Sequence, residues 1–151
     1  MNKILLDSDA SKLPPNSVLA GGCFDVIHSG HLEFLEKSKS LGEKLCLLLE
    51  SDESIRDKKG KGRPLNNQSV RAENLSKLDT VDYIILLKKS DSSLYYYNLV
   101  KLLHPAIIAV TADDPLLDTK KEQANTVEGR VVSVMDRDNR YSSTKLIEGV
   151  E

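Results

Sequence analysis

Between residues 18 and 35 an apolar run, Val18-Leu19-Ala20, meets the pair Gly21-Gly22 and then the polar turn Cys23-Phe24-Asp25-Val26-Ile27-His28-Ser29-Gly30-His31, which leads into Leu32, Phe34 and Leu35. This order reads as a strand, a tight turn and a helix. Leu45 to Leu49 follows as a continuous apolar run of strand length, and Gly42 after Leu41 is a helix-ending signal. Strand, helix and strand in that order imply a right-handed parallel crossover, with a ligand crevice at the carboxyl ends of the strands. The histidine turn lies at that edge.

His28 and His31 flank Ser29-Gly30 where the helix would begin. Both rings can reach the backbone N–H groups that a helix start leaves without carbonyl partners. Such an end attracts phosphate. Gly30 has no Cβ and lets a ligand come close to the backbone, and a histidine there can donate a hydrogen bond to a phosphoryl oxygen and stabilise developing charge. The plainer alternative is that one histidine caps and the other packs. A zinc site of Cys23, His28 and His31 would need a fourth ligand that the local sequence lacks, whereas phosphate binding accounts for Asp25 and Gly30 as well.

A length of 151 residues fits one domain. We read residues 1 to 16 as an N-terminal extension packed on a single domain spanning 17 to 151, because Pro14-Pro15-Asn16 breaks regular structure before the first core strand. Twenty-one basic against 23 acidic residues give a net charge of −2, so no overall basic field points to nucleic acid. No apolar run approaches a membrane span and the first residues lack a signal-peptide pattern, so a cytoplasmic protein without a membrane partner is expected. Cys23 and Cys46 form no C-x-x-C pair, and no disulfide framework is indicated.

Further along, Lys58-Lys59-Gly60-Lys61-Gly62-Arg63 puts four cations and two glycines into a polar stretch, 51 to 63, read as one mobile loop that can close on a triphosphate. Helices are expected over Asn67 to Leu78, Ser93 to Leu103 and Lys120 to Asn125, and strands over Asp82 to Leu87, Ala106 to Val110 and Arg130 to Met135. The three consecutive tyrosines, Tyr95, Tyr96 and Tyr97, cannot all face the core, so at least one is expected at the surface, at the subunit contact of a homodimer. Asp114, ahead of Pro115, can cap a helix or contact a ligand. Ser142, Ser143 and Thr144 offer three hydroxyls at a helix start, where capping alone needs one.

At Gly22-Cys23-Phe24-Asp25 and His28-Ser29-Gly30-His31 the chain resembles the G-x-F-D-x-x-H-x-G-H signature of the cytidylyltransferase-like nucleotidyltransferases, which share H-x-G-H with class I aminoacyl-tRNA synthetases. Lys59-Gly60 with Arg63-Pro64-Leu65-Asn66 is similar to the K-G-x-x-R-P-V-N stretch of the nucleotidyltransferase domain of bacterial ADP-heptose synthase. The arginine of the family's E-Q-R falls on Arg71, with Ser69 and Val70 at the other two positions. At Thr111-Ala112-Asp113-Asp114 the family often has G-G-D or G-D-D, so Ala112 stands where glycine is usual. Arg137, Ser142, Ser143 and Thr144 match an R-x-x-x-I-S-T-T-x-I-I element, with Tyr141 in place of a smaller residue. The resemblance runs from about Ser17 to Ile147.

The resemblance implies a Rossmann-like, doubly wound, five-stranded parallel sheet with helices on both faces. It implies transfer of a nucleotidyl group from an NTP, ATP before CTP, to a phosphorylated small molecule such as heptose 1-phosphate, with pyrophosphate released. Glycerol 3-phosphate with CTP and FMN with ATP are the alternatives within the class. A binding domain without turnover is the alternative outside it, and the intact histidine pair argues against that. The implied catalytic residues are His28, His31 and Lys59. Gly22, Cys23, Phe24, Asp25, Gly30, Arg71, Thr111, Asp113, Asp114, Arg137, Ser142, Ser143 and Thr144 are the implied nucleotide-binding set, with Asp25 orienting the histidines or the metal. The metal is Mg2+, held mainly by the NTP phosphates.

Overall fold

Leu45, Cys46, Leu47 and Leu49 have no exposed surface and Leu48 is 9% exposed. A strand buried at every position needs cover on both faces, which a parallel sheet receives from its crossover helices. A computed structural model describes residues 3–136. Among the described residues six strands form one sheet: β1 (Ile4–Leu6), β2 (Ser17–Gly22), β3 (Lys44–Leu49), β4 (Tyr83–Leu86), β5 (Ile107–Thr111) and β6 (Arg130–Met135). Their order is β1-β4-β3-β2-β5-β6, and every neighbouring pair is parallel. The helices are α1 (Ser29–Ser40), α2 (Asp52–Lys59), α3 (Gln68–Ser76), α4 (Ser93–Leu103) and α5 (Leu117–Asn125).

The period-two alternation of strand side chains sorts the core into two layers. Val18, Ala20, Leu45, Leu47, Leu49, Ile84 and Ala109 pack with Leu35 of α1 and with Ala72 and Leu75 of α3. Leu19, Cys46, Leu48, Ile85, Ile108 and Val110 pack with Leu99, Val100 and Leu103 of α4 and Ala124 of α5. The chain runs outward from β2 through β3 to β4, then returns to the far side of β2 for β5 and β6. The strand order therefore reverses between β2 and β5, and the loops after those two strands border the crevice where such sheets bind ligands.

Two expectations need correction. The sheet has six strands and not five, because Ile4, Leu5 and Leu6 pair in parallel with Ile84, Ile85 and Leu86. The stretch read as an extension thus covers the outer edge of β4, which would otherwise present unpaired backbone groups. The polar stretch 51 to 63 is not one mobile loop, since Asp52–Lys59 is helical. Its apolar content is too low to show a helical period, yet its ends carry helix signals. Ser51 Oγ accepts from Ser54 N–H (3.1 Å), Asp52 and Glu53 open the helix, and Lys58 and Lys59 close it, each complementing the helix dipole. Gly60 then turns away at a φ of 95°, a conformation that glycine adopts without strain.

The tyrosine cluster does not sink whole into the core, as its spacing requires. All three rings are partly buried. Tyr95 Oη donates to Asp7 (2.8 Å) and Tyr97 Oη donates to Glu122 (2.8 Å), tying α4 to the N-terminal segment and to α5.

Gly42 ends α1 without a left-handed turn. A Cβ there would lie 2.3 Å from the backbone oxygen of Asn16, so glycine is needed for close approach of the α1–β3 turn to the start of β2. Gly42→Ala is therefore expected to destabilise the fold by about 1–3 kcal/mol. Urea unfolding of the two proteins measures it, and equal midpoints would contradict the packing described.

Candidate active site

The turn after β2 is held open by one backbone choice. Phe24 takes a φ of 49°, a left-handed conformation unusual for an aromatic residue, and its ring folds back over Gly22. A Cβ on Gly22 would lie 2.9 Å from that ring. Phe24 is buried and meets His31 edge-on, with ring centroids 5.3 Å apart. The same kink sends the Asp25 side chain inward, where it is 2% exposed.

His28 is the N-cap of α1 and His31 occupies its third position. His28 Nδ1 accepts from His31 N–H, and His31 Nδ1 accepts from His28 N–H, both at 3.3 Å. This is a capping box in which two imidazoles take the place of the usual serine and glutamate. The rings stack nearly parallel at 3.7 Å. Each Nδ1 needs its lone pair to accept, so in each ring the proton resides on Nε2. Burial pushes the His31 pKa down to about 4, with further lowering from His28 and Lys59, while a hydrogen bond with the Val26 backbone acts in the opposite direction. His31 is therefore neutral at pH 7. The pair satisfies the N–H groups of His28 and His31. Those of Ser29 and Gly30 lie before the first carbonyl that helical bonding can supply, an arrangement suited to an anion.

Lys59, the last residue of α2, stands close enough to lower both the His31 and the Cys23 pKa. Burial raises the Cys23 thiol against that effect. The structure thus brings Gly22, Cys23, Phe24, Gly30, His28, His31 and Lys59 to one edge of the sheet. Thr111 ends β5 and Asp113 follows it, at the same edge. Asp114 is turned to local structure: its carboxylate accepts from Leu116 N–H (2.8 Å) and pairs with Lys120 (2.6 Å). Arg137, Ser142, Ser143 and Thr144 lie outside the described residues.

Two residues do not act as expected. Asp25 orients neither histidine. Its carboxylate accepts from Leu65 N–H and Asn66 N–H, each at 2.9 Å, and lies 3.5 Å from Arg63 Nε, while its carbonyl accepts from Asn66 Nδ2 (2.8 Å). Arg71 was expected to reach a phosphate but has no exposed surface. Its guanidinium donates to Asn66 O (3.0 Å), Cys23 O (2.9 Å) and Asp52 Oδ1 (2.7 Å). A buried guanidinium must have its donors matched, and here matching them joins the histidine turn, the 63–66 loop, α2 and α3. The K-G-x-x-R-P-x-N stretch is therefore not a row of mobile cations. Arg63 and Asn66 fasten it to Asp25, and Lys59 is left at the crevice. Gln68, which the sequence reading passed over, donates to the carbonyls of Leu49 (3.0 Å) and Leu87 (2.8 Å) at the ends of β3 and β4.

The cytidylyltransferase-like family matches residues 19–149. The chain is 41% identical over 135 residues to the protein named bifunctional protein HldE of Geobacter sulfurreducens, covering 88% of this chain and 26% of that one. To the HldE of Helicobacter pylori it is 31% identical over 151 residues, covering 100% of this chain and 30% of the other. The chain thus spans about a quarter of the length of the curated relatives it matches. Among solved structures, a lipopolysaccharide core biosynthesis protein from Thermoplasma volcanium is similar at a TM-score of 0.67 and 25% identity, over 82% of this chain and 98% of that one. A pantothenate synthetase from Thermus thermophilus, at 14% identity and a TM-score of 0.56 over 91% of this chain and 66% of the other, shares the fold.

The His31 environment generates a stability test. Its pKa is near 6.5 unfolded and about 4 folded, so between those values the unfolded chain binds a proton that the folded chain does not. Stability is lost as pH falls from about 6.5 to about 4, by up to roughly 3 kcal/mol. His31→Gln should remove that part of the pH dependence. Parallel stability-versus-pH curves for the two proteins across this window would contradict it.

Proposed function

The chain belongs to the cytidylyltransferase-like family, a family of nucleotidyltransferase domains, and we propose that it transfers a nucleotidyl group from an NTP, ATP by preference, to a sugar phosphate of the heptose 1-phosphate kind. The observation that carries this reading is the reciprocal capping of His28 and His31 at the start of α1. It fixes two neutral imidazoles, each with a proton on Nε2, beside an anion-attracting helix end.

The chemistry follows from that arrangement. A phosphate oxygen of the acceptor attacks the α-phosphorus of the NTP in line. The new O–P bond forms as the bond to the bridging oxygen of the β-phosphate breaks, and pyrophosphate leaves with the electron pair. The nucleophile is already anionic, so no side chain has to remove a proton. Positioning and charge stabilisation are what remain. The Nε2–H groups of His28 and His31 donate to oxygens around the reacting phosphorus, and Lys59 adds positive charge there. Ser142, Ser143 and Thr144, on the strength of their resemblance, hold the β/γ end. Among the described residues no three His, Cys, Asp or Glu side chains are grouped to hold a metal, and Asp25 is already engaged by backbone N–H groups. That donor set fits Mg2+ carried by the triphosphate, where it would neutralise phosphate charge.

Support for ATP and a heptose phosphate comes from Lys59 to Asn66, from the HldE relatives and from the lipopolysaccharide core biosynthesis neighbour. Among the described residues no helix is long and apolar enough to cross a membrane. Pyrophosphate release on mixing each NTP with a panel of sugar and polyol phosphates tests the pairing. Release with ATP and heptose 1-phosphate is expected, and release only with CTP and glycerol 3-phosphate would move the chain to the other branch of the class.

In that assay His31→Ala is expected to lower kcat by at least about a hundredfold, the usual cost of one donor to a transition state, with NTP affinity changed by no more than a few-fold. A variant as active as the parent protein would refute the role given to the ring.

A further inference from the structure

Glu50 is the first residue beyond β3 at the ligand edge. Its N–H donates to Gly22 O (3.1 Å), which extends the β2–β3 ladder by one residue. Strand alternation then directs its side chain to the face of Cys46 and Leu48, the layer covered by α4 and not the layer of α1 and its histidines. The residue is half-buried, yet its Oε2 is enclosed and, among the described residues, accepts no hydrogen bond. An enclosed carboxylate oxygen without a donor is unfavourable in itself, and structures keep such groups where something else supplies the donor. The terminal torsion of glutamate is soft, so either oxygen can turn toward the crevice.

The surroundings specify what that donor is. Tyr96, half-buried against the α4 layer, lies within electrostatic reach of Glu50, and its burial together with that carboxylate keeps the phenol protonated. Cys23 is also within reach of Glu50, and Lys59 acts on both Cys23 and His31. Glu50 is thus linked, through Cys23 and Lys59, to the reacting end of the site from the opposite face of the sheet. Lys58 and Lys59 contribute positive charge at Cys23, and Lys89, paired with Asp57 and Asp91, contributes it at Tyr96. A neutral body bearing hydroxyls meets a carboxylate acceptor and a phenol, with its phosphate drawn toward Lys59.

We propose that Glu50 is the specificity-determining group for the acceptor, accepting hydrogen bonds from the hydroxyls of a polyhydroxylated phosphate ester. The inference rests on the nucleotidyltransferase reading and adds to it the residue that selects the acceptor. It predicts that affinity for polyol and sugar phosphates depends on Glu50, while affinity for the NTP does not.

The test compares the full chain with Glu50→Gln and Glu50→Ala. Pyrophosphate release is followed with heptose 1-phosphate, glycerol 3-phosphate and phosphoethanolamine as acceptors. The Tm shift given by each acceptor alone is measured in parallel. Glu50→Ala should raise the KM for the acceptor at least about tenfold, the size of one lost hydrogen bond to a charged group, and leave the KM for NTP within about twofold. Glu50→Gln, which keeps an acceptor oxygen and the side-chain shape, should fall between, and it carries the test if Glu50→Ala does not fold. An unchanged acceptor KM, or a preference for phosphoethanolamine, overturns the proposal and leaves the nucleotidyltransferase reading standing. If the parent protein releases no pyrophosphate with any pair, that reading fails and the Tm shifts decide for Glu50. A shift with glycerol 3-phosphate that is lost in Glu50→Gln supports it, and an equal shift or none overturns it.

Discussion

Two backbone hydrogen bonds to ring nitrogens, His31 N–H to His28 Nδ1 and His28 N–H to His31 Nδ1, fix both rings of the turn on which the proposed chemistry depends. They use the N–H groups that every helix start leaves over and turn them into tautomer locks. A side chain that caps a helix cannot rotate freely, so the rings are positioned before any ligand arrives. Pre-positioning of this sort matters most for a reaction that needs no proton transfer and relies on donors held where charge develops.

The turn that carries the histidines depends in turn on a buried charge network. Phe24 kinks the chain, Asp25 points inward, and Arg71 reaches from α3 to the carbonyl of Cys23. Asp25 and Arg71 are engaged by protein partners in this arrangement. They hold the 63–66 loop and α2 against the turn, and α2 in turn delivers Lys59. Removing Asp25 would leave the N–H groups of Leu65 and Asn66 without their acceptor, and removing Arg71 would leave the carbonyls of Cys23 and Asn66 without their donor, losses that cost far more in the interior than at the surface. Family-signature residues thus divide into those that face the crevice and those that build the wall behind it.

Much of this was legible in the sequence. The order of apolar runs and the glycine turn led to a parallel doubly wound sheet, and the histidine pair led to the strand-end crevice, because burial on both faces and capping each leave a local pattern. The sixth strand did not, since Ile4, Leu5 and Leu6 form too short a run to stand out before Pro14 and Pro15. Helix α2 carries a single fully buried apolar residue, Ile55, and only its end charges and Ser51 betray it. The inward roles of Asp25 and Arg71 were hidden for a different reason: a charged residue in a motif reads the same whether it meets a phosphate or a carbonyl, and the fold alone decides which. Glu50 has no motif at all, and its place is set only by the ladder, which puts it beside Gly22 at the ligand edge.

The central claim is that both histidines present Nε2–H from a locked, neutral ring. Long-range 1H–15N correlation of the imidazole nitrogens at neutral pH reads this directly. The account predicts protonated Nε2 and bare Nδ1 in both rings, with His31 titrating near pH 4. A ring protonated on Nδ1 at pH 7, whether as the other tautomer or as imidazolium, would contradict it.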